Sequence, residues 1–238
     1  MNIKKSHFLR SGIFVTGLLI SPFVNALQME PLSLVLKPSG AGANQILRVI
    51  NETSKPVAVQ FNMTTRKQVD NKEVRVSADD KFMIYPPQTI IPPRSAQKVR
   101  IQWLGESQMK DEQAYRFIAE QVYVSLEKEQ TGINMLMKLE GALYVQPSKT
   151  KSNVKITSVK PEGNKLGVTI QNMGNRHQLL NKATVDLKYG NQLISLNGDQ
   201  LLGMEGKNVL GKSTYRFLIK KPDQFKNQAW VASLNLGK

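Results

Sequence analysis

The stretch Phe82–Trp103, FMIYPPQTIIPPRSAQKVRIQW, decides the fold. Phe82 to Tyr85 is a short apolar run stopped by Pro86-Pro87, because two successive residues without an N–H cannot continue a ladder. Ile90-Ile91-Pro92-Pro93-Arg94-Ser95 reads as a turn. Gln97 to Trp103 then alternates, sending Val99, Ile101 and Trp103 to one face and Lys98, Arg100 and Gln102 to the other. That period of two is the mark of a half-buried strand.

The same signals recur in both directions. The run Gln45 to Val49 ends at the polar turn Asn51–Pro56, after which Val57, Val59 and Phe61 alternate with smaller or polar residues. Tyr115 to Leu126 and Ile133 to Gln146 are the longest strand-like runs, joined by a polar loop over Glu127–Gly132. No stretch carries a helical period with caps at both ends. Short strands separated by turns every ~8–12 residues predict an all-β sandwich. Pro147–Asn153 is polar and without period, a linker. Beyond it the runs Val154–Val159, Lys165–Gln171, Ala183–Tyr189, Gln192–Leu196, Ser213–Lys220 and Ala229–Leu236 form a second β series. Two immunoglobulin-like β-sandwich domains are expected, over 27–147 and 148–238.

Residues 1–26 read as a leader. Lys4, Lys5 and Arg10 precede the apolar run Ile13–Ile20, Pro22 breaks it, and Val24-Asn25-Ala26 suits cleavage. The run is well short of the ~20 residues that span a bilayer, so the expectation is an exported, soluble protein beginning at Leu27. The 238 residues contain no cysteine, which excludes a disulfide scaffold, thiolate metal sites and a cysteine nucleophile. The formal charge is +15, and the leader removes three basic residues and no acids, leaving +12. The basic residues alternate with apolar ones instead of clustering, and an exported protein meets little nucleic acid; solvated strand faces account for them.

Catalytic patterns fail on context. Gly206–Ser213 (GKNVLGKS) fits the spacing of a phosphate-binding loop, but that chemistry needs a helix N-terminus to follow. Thr214–Ile219 alternates as a strand, so the segment reads as a hairpin loop. His177 is the single histidine beyond the leader, which excludes imidazole metal sites, and no nucleophile elbow exists to serve it. It reads as a surface-loop histidine. Glu127 and Glu129 sit in a Lys- and Gln-rich loop without an aromatic cleft. No enzyme, cofactor or metal is expected.

What remains is Gly132–Val145, GINMLMKLEGALYV. Ile133, Met135, Met137, Leu139, Leu143 and Val145 share one face, with Asn134, Lys138 and Glu140 opposite. Closely spaced methionines make adaptable apolar contacts, and a long apolar strand at a sheet edge is a liability unless something pairs with it. Here the chain resembles the periplasmic pilus chaperones of the chaperone–usher pathway, the PapD-like proteins. The matching residues are Leu47–Asn51, Pro56–Gln60, Phe82–Pro87, Ile91–Ile101, Tyr115-Arg116-Phe117 and Ala142–Pro147, covering most of 27–147. The second half is similar only in its β pattern.

The resemblance implies a boomerang of two immunoglobulin-like domains in the periplasm that folds and caps pilus or fimbrial subunits. It does so by donor-strand complementation and delivers them to an outer-membrane usher. Ile133, Met135 and Met137 would then fill the subunit's groove, with Leu139–Val145 left as core. The better-known branch holds the subunit's terminal carboxylate with an Arg and a Lys where this chain has Ser33 and Ala142. The archaic branch is similar at Tyr115-Arg116 and Met137-Lys138, which makes Arg116 and Lys138 the implied carboxylate anchor. The rival role for Arg116 is a structural pair with Glu120 or Glu140. Rival functions are a two-domain sandwich binding carbohydrate or surface ligands, an appendage subunit, and a hydrolase built on His177. Self-association of the free protein is left open.

Overall fold

The computed structural model describes residues 27–123, 136–225 and 230–237. The first half carries β1 (Leu27–Glu30), β2 (Ser33–Leu36), β3 (Asn44–Asn51), β4 (Val57–Thr65), β5 (Lys67–Val69), β6 (Lys72–Val74), β7 (Phe82–Tyr85), β8 (Gln88–Ile91), β9 (Ser95–Trp103), β10 (Gln113–Gln121) and β11 (Lys138–Val145). They form two sheets, β1-β3-β9-β7 and β2-β11-β10-β4-β8, with β5-β6 a separate hairpin. Val99, Ile101 and Trp103 point inward, as their alternation predicts, and face Phe61, Met63, Tyr115 and Phe117 of the other sheet. Phe82 sits edge-on between Trp103 and Tyr115, with ring centroids 5.1 and 4.9 Å away.

Ile90 and Ile91, expected in a turn, instead end β8, an edge strand on β4. The proline pairs flank this strand and take no ladder position within it, so they break nothing. The run expected from Tyr115 begins at Gln113 and stops at Gln121.

The second half holds β12 (Val154–Glu162), β13 (Lys165–Asn172), β14 (Gln178–Leu179), β15 (Ala183–Tyr189), β16 (Gln192–Leu196), β17 (Asn208–Val209), β18 (Ser213–Lys220) and β19 (Val231–Leu236). These make the sheets β12-β13-β18 and β16-β15-β19 and the short ladder β14-β17. Their core of Leu166, Val168, Ile170, Val185, Leu187 and neighbours is separate from that of the first half. Each core is closed at one end by a buried asparagine. Asn51 donates to the carbonyls of Lys55, Ile91 and Pro92 (2.8, 3.0 and 3.1 Å) and accepts from the Thr53 N–H. Asn172 donates to the carbonyls of Arg176 and Val209 and accepts from the N–H groups of Asn153 and Gly174. Both side chains thereby replace backbone partners that turns cannot supply.

Candidate functional site

β11 has one satisfied edge and one half-open edge. On one side it pairs with β10 along its whole length, Lys138 opposite Glu120 through Val145 opposite Gln113. On the other, β2 runs parallel to it and covers only Ala142–Val145. Among the described residues, no strand covers Lys138–Gly141 on that side. The cause is the crossing of the chain from β1, in one sheet, to β2, in the other. The crossing lies on Gly141, where a Cβ would come within 3.1 Å of Met29 Cε and 3.2 Å of the Leu32 carbonyl oxygen. The Ala142 N–H donates to that same carbonyl at 2.8 Å.

Met137 is half-buried against the first core, and its carbonyl accepts from the Gln121 N–H at 2.8 Å. Leu136, on the other face, is exposed. Ile133 and Met135, and likewise Glu127 and Glu129, lie outside the described residues.

Arg116 and Lys138 stand on the same outer face of the β4-β10-β11 sheet, since Arg116 lies opposite Ala142 and Lys138 opposite Glu120. They are four register positions apart, about 13 Å along the strand direction. Arg116 pairs with neither Glu120 nor Glu140; its partner is Glu73 of β6. Its Nε and Nη2 donate to Glu73 Oε1 and Oε2 at 3.0 and 2.7 Å, a fork on a carboxylate. Glu73 also receives Arg66 Nε at 2.8 Å and Arg75 Nε at 2.7 Å. Arg75 reaches on to Glu140 at 2.7 Å. Lys138 meets Glu120 more loosely, at 3.7 Å, with both side chains nearly half exposed.

Partial burial alone would raise the Glu73 carboxyl, but the hydrogen bonds and charge of Arg116, with Arg66 and Arg75 behind them, hold it down at about 2. The Glu73 hydrogen bond in turn raises the Arg116 guanidinium above its ordinary value. Three guanidiniums thus close on one carboxylate on this face. Sequence reading missed Glu73, Arg66 and Arg75. The available signal was the mixed-charge hairpin itself, whose turn residues Asp70 and Asn71 both take positive φ, 48° and 65°.

His177 is not a free surface-loop residue. Its backbone N–H and Nδ1 lie 2.9 and 2.7 Å from Glu112 Oε1, and its ring stacks on Tyr144. The Tyr144 hydroxyl accepts from Arg66 Nη1 at 3.1 Å and Asn208 Nδ2 at 2.6 Å. The segment with phosphate-loop spacing leads through β17 into strand β18, not a helix, and its Lys212 pairs with Asp111 of the first half at 2.5 Å. These groups join the two halves and show no nucleophile–base geometry.

Residues 26–151 match the family of pili and flagellar-assembly chaperones, PapD N-terminal domain. No curated protein matches the chain in sequence. Among solved structures the chain is similar to the class 5 fimbriae chaperone CfaA, with 15% identity and a TM-score of 0.57 over 90% of this chain and 100% of that one. It is also similar to the CsuC–CsuE chaperone–tip adhesion subunit pre-assembly complex of the archaic chaperone-usher Csu pili of Acinetobacter baumannii, with 14% identity and a TM-score of 0.55 over 81% and 89%. A third likeness is to the complex of Salmonella enterica SafA pilin with the SafB chaperone, with 16% identity and a TM-score of 0.55 over 84% and 86%. At these identities the likeness shows the shared fold, an all-β pair of immunoglobulin-like domains.

Proposed function

The chain belongs to the pili and flagellar-assembly chaperones of the PapD N-terminal domain family, and we propose that it folds and caps pilus subunits by lending them the edge of β11. The observation that carries this reading is the half-open edge at Lys138–Gly141, where β2 stops short. A subunit lacking a strand gains main-chain hydrogen bonds from such an edge and apolar side chains from the segment leading into it. Those side chains are Ile133, Met135 and Met137, each contributing about 1.5–3 kcal/mol of burial before ordering costs.

Arg116 is the principal holder of the subunit's terminal carboxylate. Lys138 closes on the same group with its stem extended along the strand. The protein is exported to the periplasm with residues 1–26 removed, and its domains meet at Pro147. It hands subunits to an outer-membrane usher and performs no covalent chemistry. In the free protein, a second copy shielding the β11 edge would account for any self-association.

The test is native mass spectrometry of complexes from periplasmic extract, wild type beside Arg116→Ala. A one-to-one complex with a small β-rich subunit, lost in the variant, is the expected result. A complex that survives in the variant removes the anchor and keeps the chaperone. Protein found alone in both overturns the reading.

A further inference from the structure

We infer that Glu73 is a resident stand-in for the subunit's carboxylate: an internal anion that occupies the three-arginine receptor until an incoming chain terminus displaces it. This rests on the reading of Arg116 as the carboxylate anchor and adds to it the competitor that a subunit must replace.

Three observations carry the inference. First, the receptor is saturated from within. Glu73 Oε1 accepts from Arg75 Nε (2.7 Å) and Arg116 Nε (3.0 Å), and Oε2 from Arg66 Nε (2.8 Å) and Arg116 Nη2 (2.7 Å). Four charge-assisted bonds fill the carboxylate's acceptor capacity and take the fork of Arg116 that a chain terminus would use. Second, the occupant is open to exchange. The Arg116 and Glu73 side chains keep 21% and 22% of their exposure, so solvent and a peptide end can reach the pair.

Third, the receptor holds an unused hydroxyl. Thr64 lies directly opposite Arg116 on β4, and its Oγ1 is buried with no hydrogen-bond partner among the described residues. Displacement would also be felt beyond the site. Glu73 sits on the β5-β6 hairpin, whose tip residue Asn71 donates to the Arg216 carbonyl (2.7 Å) and accepts the Arg216 N–H (2.8 Å) on β18. The hairpin therefore ties the receptor to the second half of the chain.

The experiment measures binding of a short peptide of alternating valine and threonine, made with a free C-terminal carboxylate and as the C-terminal amide. Wild type, Glu73→Gln and Arg116→Ala are compared by calorimetry. Wild type should prefer the acid, and Arg116→Ala should not. Glu73→Gln should bind the acid about tenfold tighter than wild type and leave the amide unchanged. A Glu73→Gln protein that binds the acid no tighter than a still-discriminating wild type overturns the stand-in: Glu73 would then orient Arg116, and the anchor would survive. Absence of discrimination in wild type overturns both. Should Glu73→Gln fail to fold, Glu73→Asp decides. Its charge is kept but its reach is shorter, so tighter acid binding supports the stand-in and unchanged or weaker binding overturns it.

Discussion

Tyr144 and His177 stack face to face between the two halves of the chain, with ring centroids 3.8 Å apart and planes within 14°. The contact is fixed from both sides. Glu112, its side chain only 2% exposed, holds the His177 ring through Oε1 and accepts from Gln146 Nε2 at 2.9 Å through Oε2. Arg66 and Asn208 hold the Tyr144 hydroxyl. Tyr144 lies near the end of β11 and Gln146 just past it, so the junction is continuous with the strand that carries the half-open edge. Asn175 adds two bonds beside it, donating to the Lys110 carbonyl at 2.7 Å and accepting the Glu112 N–H at 3.0 Å.

This junction should couple the two cores. Glu112→Ala removes an acceptor from His177 and from Gln146 at a buried position and should cost about 2–4 kcal/mol. In scanning calorimetry the wild type is expected to melt in one transition and the variant in two. A variant that keeps one transition at an unchanged midpoint would show that the halves are coupled elsewhere.

The alternating strands were readable because burial on one face of a pleated sheet writes a period of two into the sequence. Gln97–Trp103 and Ala183–Tyr189 are such runs, and the second appears with its predicted ends. Arg116 and Lys138 were readable as residues but not as an arrangement. The partner of Arg116 lies 43 positions away on another hairpin, and that of His177 lies 65 away in the other half. Such pairings depend on sheet order and register, which no local pattern encodes. Leu27–Leu36 was missed for a related reason: two four-residue strands split between sheets are each too short to display a period.

Gly141 should tolerate no side chain. Gly141→Ala places a Cβ against the Leu32 carbonyl as well as Met29, and a backbone atom cannot swing aside as a methionine methyl can. The expected loss is about 1–3 kcal/mol in urea denaturation, as in overpacked cores. A Gly141→Ala protein of wild-type stability would mean that the β1–β2 crossing moves freely and does not set the limit of the open edge.

Asn51 and Asn172 should act independently. Asn51→Ala removes the donor to the Lys55, Ile91 and Pro92 carbonyls and Asn172→Ala the donor to those of Arg176 and Val209, of which the Ile91 and Val209 bonds are buried. Each change should cost about 2–4 kcal/mol in the half that contains it. Because the two residues belong to separate cores, their effects should add to within about 0.5 kcal/mol in the double variant. A strong interaction term in that cycle would argue against separate cores.

Glu73 should leave a signature in acid. Its carboxyl is held at about 2 against an ordinary value of 4.5, so the folded state binds this proton less tightly than the unfolded state. The stabilisation is therefore complete above about 4.5 and is lost as pH falls from there toward 2. Each unit of depression corresponds to about 1.4 kcal/mol. Partial exposure of the side chain reduces the sum to on the order of 2 kcal/mol. Glu73→Gln cannot titrate and leaves Arg66, Arg75 and Arg116 without their shared anion, so it should be less stable than wild type at pH 6. Urea midpoints measured at pH 6, 4 and 2.5 should show that gap narrowing as acid protonates the wild-type carboxyl. A gap that stays constant down to pH 2.5 would mean that Glu73 stabilises the fold through contacts indifferent to its charge, and the three-arginine receptor would lose its electrostatic basis.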